Sequence, residues 1–93
     1  MDMKIRRYVK VYGRVQGVFF RANTKTVADK HGVKGYVKNL PDGTVEAVLE
    51  GEEEAVKKVI EWMHTGPPLA KVKKLEVREE EYKGEYRDFR IEY

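Results

Sequence analysis

The sequence predicts an α+β fold of the ferredoxin-like type: a split βαββαβ sandwich with two helices on one face of an antiparallel or mixed sheet and a short fifth strand at its C-terminal end. Apolar residues recur with a period of two in some segments and with helical spacing in two others. These segments follow one another as strand, helix, strand, strand, helix, strand. A length of 93 residues suits one small domain over 1–93.

The first half of the chain supplies a strand, a turn and a helix. Ile5 and Val9 fall on one face of an extended segment, which predicts the first strand. After a turn over 13–18, apolar residues follow helical spacing as far as Gly32, a residue suited to the positive φ at a helix C-terminus. The pattern therefore predicts a helix over 21–31.

The second half supplies a hairpin, a helix and two more strands. The hairpin turn contains Pro41, which presets φ, and Gly43, which accepts positive φ. The spacing from Val72 to Leu75 breaks strict alternation, which predicts a bulge or a late strand start. The predicted elements are strands over 33–40 and 43–51, a helix from 52 to a stop at 65–68, and strands over 72–77 and 89–93.

Composition narrows the classes of function. The chain has no cysteine, which excludes disulfides, a thiolate nucleophile and cysteine-ligated metal. Two isolated histidines at predicted helix C-termini, His31 and His64, make a poor metal site. No segment is long and apolar enough for a membrane span or a signal peptide, so we expect a cytoplasmic protein without a membrane partner.

The charges are divided unevenly along the chain. Residues 1–38 carry ten Lys/Arg and two Asp/Glu, a balance of +8, whereas residues 39–93 carry nine and fourteen, a balance of −5. This division predicts a positive field around the first half, unless the fold interleaves the two halves. A positive field favours an anionic ligand, either phosphate or nucleic acid.

The segment 13–21, Gly-Arg-Val-Gln-Gly-Val-Phe-Phe-Arg, leaves the first strand, turns through two glycines and brings Arg21 to the start of the first helix. Backbone N–H groups in such a turn and at a helix N-terminus favour negative charge. A cation at this end is disfavoured by the helix dipole unless an anion accompanies it. The loop alone is equally compatible with a connection whose glycines serve only the turn.

Two motifs resemble those of a known family. The segment 11–21 contains G-x-V-Q-G-V-x-[FM]-R at residues 13–21, and residues 35–51 match G-[FYW]-[AV]-[KRQ]-N-x3-G-x-V-x5-G, both at every fixed position. The chain thus resembles the acylphosphatases, small ferredoxin-like enzymes that hydrolyse carboxyl–phosphate anhydrides without metal. The two segments cover 28 of the 93 residues (11 plus 17). The loop is not a nucleotide-binding P-loop, because no Lys-Ser or Lys-Thr follows it.

The resemblance implies that Arg21 and Asn39 are catalytic, Arg21 holding a phosphoryl group and Asn39 orienting a water through its amide. The implied substrate is a small-molecule acyl phosphate, with inorganic phosphate as product and competitive inhibitor. No cofactor, metal or nucleic-acid partner is implied, and we expect a monomer. The other implied site residues are the phosphate-binding loop, Arg14, Val15, Gln16, Gly17, Val18, Phe19 and Phe20, and the supporting residues Gly13, Thr24 and Thr44.

Several of these residues have structural interpretations as well. Asn39 precedes the Pro41 turn, where asparagine is common. Gln16 can orient substrate or tie the loop down, and Thr24 can bond back to its own helix or touch the site. Phe19 and Phe20 are interpreted as core or loop anchors rather than substrate contacts.

Two other functions fit the predicted fold. The helix-free face of the sheet would mix aromatic and basic side chains, as in modules that stack single-stranded RNA bases on a sheet. A carbamoyl-phosphate-handling domain of a larger maturation protein would share the 13–21 loop. The residues expected on the open face are Tyr8, Tyr12 and Tyr36 among Arg6, Lys10, Lys34 and Lys38.

Overall fold

The computed structural model describes residues 3–93, so the first two residues of the domain expected over 1–93 lie outside the described part. Two helices and five strands in the expected order confirm the α+β ferredoxin-like fold. Within the described residues, no helix is long and apolar enough to cross a membrane. The elements are β1 (Lys4–Arg14), α1 (Phe20–Lys30), β2 (Lys34–Asn39), β3 (Val45–Glu52), α2 (Glu53–Thr65), β4 (Lys71–Glu80) and β5 (Phe89–Glu92).

The five strands form one sheet in the order β4-β1-β3-β2-β5. β5 runs parallel to β2, and the other pairs are antiparallel. This order places the basic strand β1 beside the acidic strand β3. Ion pairs such as Arg6–Glu50 and Lys4–Glu52 therefore join the two halves of the chain. The positive field predicted for the first half is therefore not preserved in the fold.

One hydrophobic core lies between the sheet and the two helices. Alternate residues of each inner strand point into it, and both helices bury an apolar stripe against them. Phe20 of α1 and Trp62 of α2 pack with ring centroids 5.7 Å apart, which joins the helices to each other. The strand and helix positions in this core include Val9, Val11, Val37, Val45, Leu49, Phe20, Ala28, Val56, Val59 and Met63.

The interrupted alternation near Val72 is a β-bulge, which confirms one of the two predicted explanations. Tyr12 pairs with Lys74 and Gly13 pairs with Val72, so Lys73 has no partner across the strand pair. Gly13 has φ +122°, and a Cβ at this position would collide with the carbonyl oxygen of Lys71. Only glycine lets β1 and the bulge approach so closely just before the 13–21 loop.

The predicted element bounds differ from the observed ones by one to three residues, and the largest difference is the end of β4 at Glu80 rather than at residue 77. The first helix begins at Phe20 rather than at residue 21, because Phe19 takes the N-cap with φ 65°. The hairpin strands end at Asn39 and resume at Val45, so the turn is longer than predicted. The Asp42 side chain accepts the Thr44 N–H at 3.0 Å and shapes this turn.

Candidate active site

The connection from β1 to α1 places free backbone N–H groups at the start of the helix. The Phe19 carbonyl accepts the Asn23 N–H at 3.1 Å and the Asn23 side-chain amide at 2.8 Å, which fixes the cap. The N–H groups that precede Asn23 have no acceptor within the helix, and the first turn carries no acidic side chain. Gly17 reaches φ +74° in the preceding turn. This end of α1 can therefore receive an anion.

Arg21 is a cation without a counter-ion in the described part of the chain. Its Nη1 donates to the Glu92 carbonyl at 3.3 Å, and its guanidinium lies 4.9 Å from the centre of the Tyr93 ring. Among residues 3–93, no carboxylate comes within salt-bridge distance of it. Guanidinium carries five N–H donors, so most remain free for an oxyanion. A lone cation in the first turn of a helix is stabilised when such an anion binds.

Asn39 is the last residue of β2 and shares the helix-facing side of that strand with Val37. Its Oδ1 is buried and has no hydrogen-bond partner within the described part of the chain. Buried polar atoms almost always have a partner, so this oxygen is available to accept a hydrogen bond from a bound molecule. The adjoining turn is instead held by Asp42, whose hydrogen bonds from Thr44 lower its pKa to about 2.

Arg21 and Asn39 face the same cavity, which has a volume of about 280 Å³. β5 closes its far side: Lys38 pairs with Glu92, so the chain continues with Tyr93 beside Asn39. The alternation of the last residues predicted this strand but not its pairing with β2. The sequence therefore did not show that β5 closes the cavity. The cavity is lined by Val15, Gly17, Phe19, Phe20, Arg21, Ala22, Asn39, Ile91 and Tyr93.

Two other predicted site residues, Gln16 and Thr24, lie outside this cavity. Gln16 Nε2 donates to the carbonyls of Leu40 and Thr44 at 2.8 and 2.9 Å, so Gln16 ties the loop to the hairpin turn. Thr24 is buried and its hydroxyl donates to the Phe20 carbonyl at 2.8 Å, so it bonds back to its helix rather than touching the site.

A second surface depression holds three of the predicted residues and separates them from Arg21. Gly13, Arg14 and Thr44 line it together with Lys71 and other residues around the bulge. The side chain of Val18 points into the core instead. Arg14, predicted in the phosphate-binding loop, and Thr44, predicted as a supporting residue, line this depression rather than the cavity of Arg21.

The two phenylalanines of the loop have different environments. Phe20 is 1% exposed and belongs to the core, as predicted for a core anchor. Phe19 is 69% exposed at the rim of the cavity, so its interpretation as a core or loop anchor is wrong. Phe19 precedes the helix with a left-handed backbone, and its side chain does not follow the helical stripe that buries Phe20.

On the helix-free, open face of the sheet, aromatic side chains are hydrogen-bonded to a carboxylate of the same face. The hydroxyls of Tyr8 and Tyr36 donate to the two oxygens of Glu46 at 2.8 and 2.9 Å. Burial and this carboxylate raise the pKa of Tyr8 to about 12 and also raise the pKa of Tyr36. The Arg78 guanidinium covers the Tyr8 ring at 4.3 Å. These rings are therefore not free platforms for nucleic-acid bases.

Arg6 was predicted on this face as an exposed cation, and that prediction is wrong. It is 8% exposed and donates to three carboxylates, Glu50 at 3.2 Å, Glu80 at 2.8 Å and Glu85 at 2.6 Å. These acidic groups come from β3, β4 and the β4–β5 loop, far from Arg6 in sequence. The loss of a free cation further weakens the RNA-binding interpretation.

Comparisons with known proteins indicate which family this chain resembles. The family model described as Acylphosphatase matches residues 7–91. An acylphosphatase of Pyrobaculum calidifontis is 61% identical over 88 residues, 94% of this chain and 80% of that one. The crystal structure of an acylphosphatase from Bacillus subtilis superposes with a TM-score of 0.92 at 38% identity, covering 96% of this chain and 99% of that one. HypF of T. kodakarensis superposes with a TM-score of 0.82 at 38% identity, covering 98% of this chain but 12% of that one.

Proposed function

Because the chain belongs to the acylphosphatase family, we propose that it hydrolyses the carboxyl–phosphate anhydride bond of an acyl phosphate to a carboxylate and inorganic phosphate. The observation that carries this proposal is one cavity lined by both Arg21 and Asn39. Within residues 3–93, Arg21 has no counter-ion and Asn39 Oδ1 has no hydrogen-bond partner. The first can hold a phosphoryl group, and the second can hold a water by accepting its hydrogen bond.

The phosphoryl group is bound by the loop and by the start of α1. Backbone N–H groups after Gly17 and in the first helical turn surround its equatorial oxygens, while the Arg21 guanidinium donates a pair of parallel hydrogen bonds. The contact of Arg21 with the Glu92 carbonyl and the Tyr93 ring fixes the plane of the guanidinium. Donors set in advance stabilise the charge that develops on these oxygens in the transition state.

Attack comes from a water that donates a hydrogen bond to Asn39 Oδ1 and points its lone pair at phosphorus. A bond forms between the water oxygen and phosphorus, the bridging P–O bond breaks, and its electron pair stays on the carboxylate. The conjugate acid of that carboxylate has a pKa near ~4, so the leaving group departs without a proton. Both protons of the water end on the phosphate, giving dihydrogen phosphate, and no side-chain base is needed.

The finer expectations belong to the same proposal. We propose that residues 1–93 act as one domain, as a monomer in the cytoplasm, on a small acyl phosphate without a metal or cofactor. Inorganic phosphate, as the product, competes for the same cradle. The contacts of Tyr8, Tyr36 and Arg6 on the open face leave single-stranded RNA as the less favoured partner.

The test is hydrolysis of benzoyl phosphate by the unaltered chain with chelator present. We expect turnover above the protein-free rate and competitive inhibition by inorganic phosphate. Arg21→Lys should lose at least about 10²-fold in kcat/KM, because a point charge cannot reproduce the paired hydrogen bonds. Arg87→Lys, an exposed arginine outside the cavity, is the matched control. Near-normal activity of Arg21→Lys, or no activity of the unaltered chain, would contradict the proposal.

A further inference from the structure

Phe19 combines a strained backbone with an exposed side chain. Its φ of 65° is the only positive value at a non-glycine residue within residues 3–93. Bulky side chains rarely take this conformation, and residues held in it cluster at ligand sites. Packing does not compensate for the strain in the free protein, since 69% of Phe19 is exposed. Glycine or asparagine would suit the same N-cap with less strain.

The Phe19 ring is free on the rim of the catalytic cavity. Phe20 packs on Trp62, and the Tyr93 ring lies against the Arg21 guanidinium. In the described part of the chain, Phe19 takes part in none of the ring–ring or cation–ring contacts. Since 69% of Phe19 is exposed, a ligand in the cavity can cover part of this side chain.

The rest of the cavity lining has the same chemistry. Apart from Arg21 and Asn39, which the phosphoryl group and the water occupy, the lining side chains are uncharged and mostly apolar. No lysine, aspartate or glutamate among the described residues lines the cavity. A volume of about 280 Å³ limits the occupant to a small group.

We propose that Phe19 is a specificity-determining residue that packs against the acyl group and makes this chain select acyl phosphates with an uncharged aromatic or branched apolar acyl group. The inference rests on the proposed function and names its substrate class. An aromatic acyl group loses water-exposed area against Phe19, whereas acetyl is too small to cover the ring and a carboxylate-bearing acyl group finds no partner there. The free energy of this contact offsets the backbone strain at Phe19 when substrate binds.

The test compares kcat/KM for benzoyl phosphate and for acetyl phosphate in the unaltered chain, in Phe19→Ala and in Phe19→Gly. We expect the benzoyl-to-acetyl ratio to fall about tenfold in both variants, mainly through a higher KM for benzoyl phosphate. Phe19→Gly also removes the backbone strain, so it separates the loss of the ring from any effect of strain. Leu69→Ala, which truncates another exposed large side chain outside the cavity, should leave the ratio unchanged.

The outcomes distinguish this inference from the proposed function. If the unaltered chain hydrolyses neither substrate, the proposed function fails and the inference fails with it. If it hydrolyses both and the ratio stays within twofold in Phe19→Ala and Phe19→Gly, the inference alone is overturned. A parallel rise in the Ki of inorganic phosphate would also overturn it, because the side chain would then serve the phosphoryl cradle.

Discussion

Replacing Asn39 by alanine separates catalysis from stability. The variant loses the acceptor that orients water, so we expect kcat to fall by about 10²–10³-fold, roughly 3–4 kcal/mol of transition-state stabilisation. The free energy of unfolding should stay within about 1 kcal/mol of the unaltered chain or rise, because no group among residues 3–93 donates a hydrogen bond to Oδ1. Removing this buried polar oxygen offsets the small loss of packing.

Three measurements on Asn39→Ala test this reasoning: kcat with benzoyl phosphate, the Ki of inorganic phosphate and the denaturant midpoint. Asn23→Ala is the matched control, since its side-chain amide does bond the Phe19 carbonyl and its removal should lower stability by roughly 1 kcal/mol. A loss of more than about 2 kcal/mol in Asn39→Ala would make the residue a structural part of the turn. An equal loss of phosphate affinity would assign it to the cradle.

Two further predictions concern stability. Glu50→Ala removes a buried carboxylate that accepts hydrogen bonds from the Arg6 guanidinium and from backbone N–H groups of the β4–β5 loop. We expect the free energy of unfolding, measured with denaturant, to fall by about 3 kcal/mol and amide exchange at residues 83–85 to become faster. A fall of less than about 1 kcal/mol would contradict this prediction. The folded pKa of Tyr8, about 12 against 10.0, means that the folded state keeps a proton that the unfolded state releases. This stabilisation is complete below pH 10 and is lost as the pH rises toward 12. Between these pH values, the free energy of unfolding should therefore fall less steeply with pH in Tyr8→Phe than in the unaltered chain. An equal slope in the two proteins would refute the raised pKa of Tyr8.

The order of elements and the identity of the family followed from sequence because their signals are local, and both predictions are confirmed. Period-two and helical spacing place side chains on faces, and the two motifs fix Arg21 and Asn39 by position. The bulge near Val72 was also visible as a break in alternation. What these signals could not give is which strands become neighbours, since pairing depends on contacts between distant segments.

The wrong predictions arise from contacts between distant segments or from unusual backbone geometry. Arg6 looked exposed because its carboxylate partners lie on other elements, and Tyr93 was not connected to the site because nothing local pairs β5 with β2. Thr44 and Arg14 belong to the motifs but line a neighbouring depression, so their roles as supporting and loop residues stay predictions. Phe19 was misplaced because a phenylalanine with positive φ is uncommon, and the pattern gave no sign of it.

Hydrolysis in ¹⁸O-labelled water tests most directly the claim that an oriented water attacks phosphorus. The unaltered chain should place one ¹⁸O atom in the inorganic phosphate and none in the benzoate, measured by mass spectrometry after benzoyl phosphate is consumed. Phosphate and benzoate incubated with the protein in the same water control for exchange. Label in the benzoate would mean attack at the carbonyl carbon, and it would contradict both the phosphoryl cradle around Arg21 and the role of Asn39.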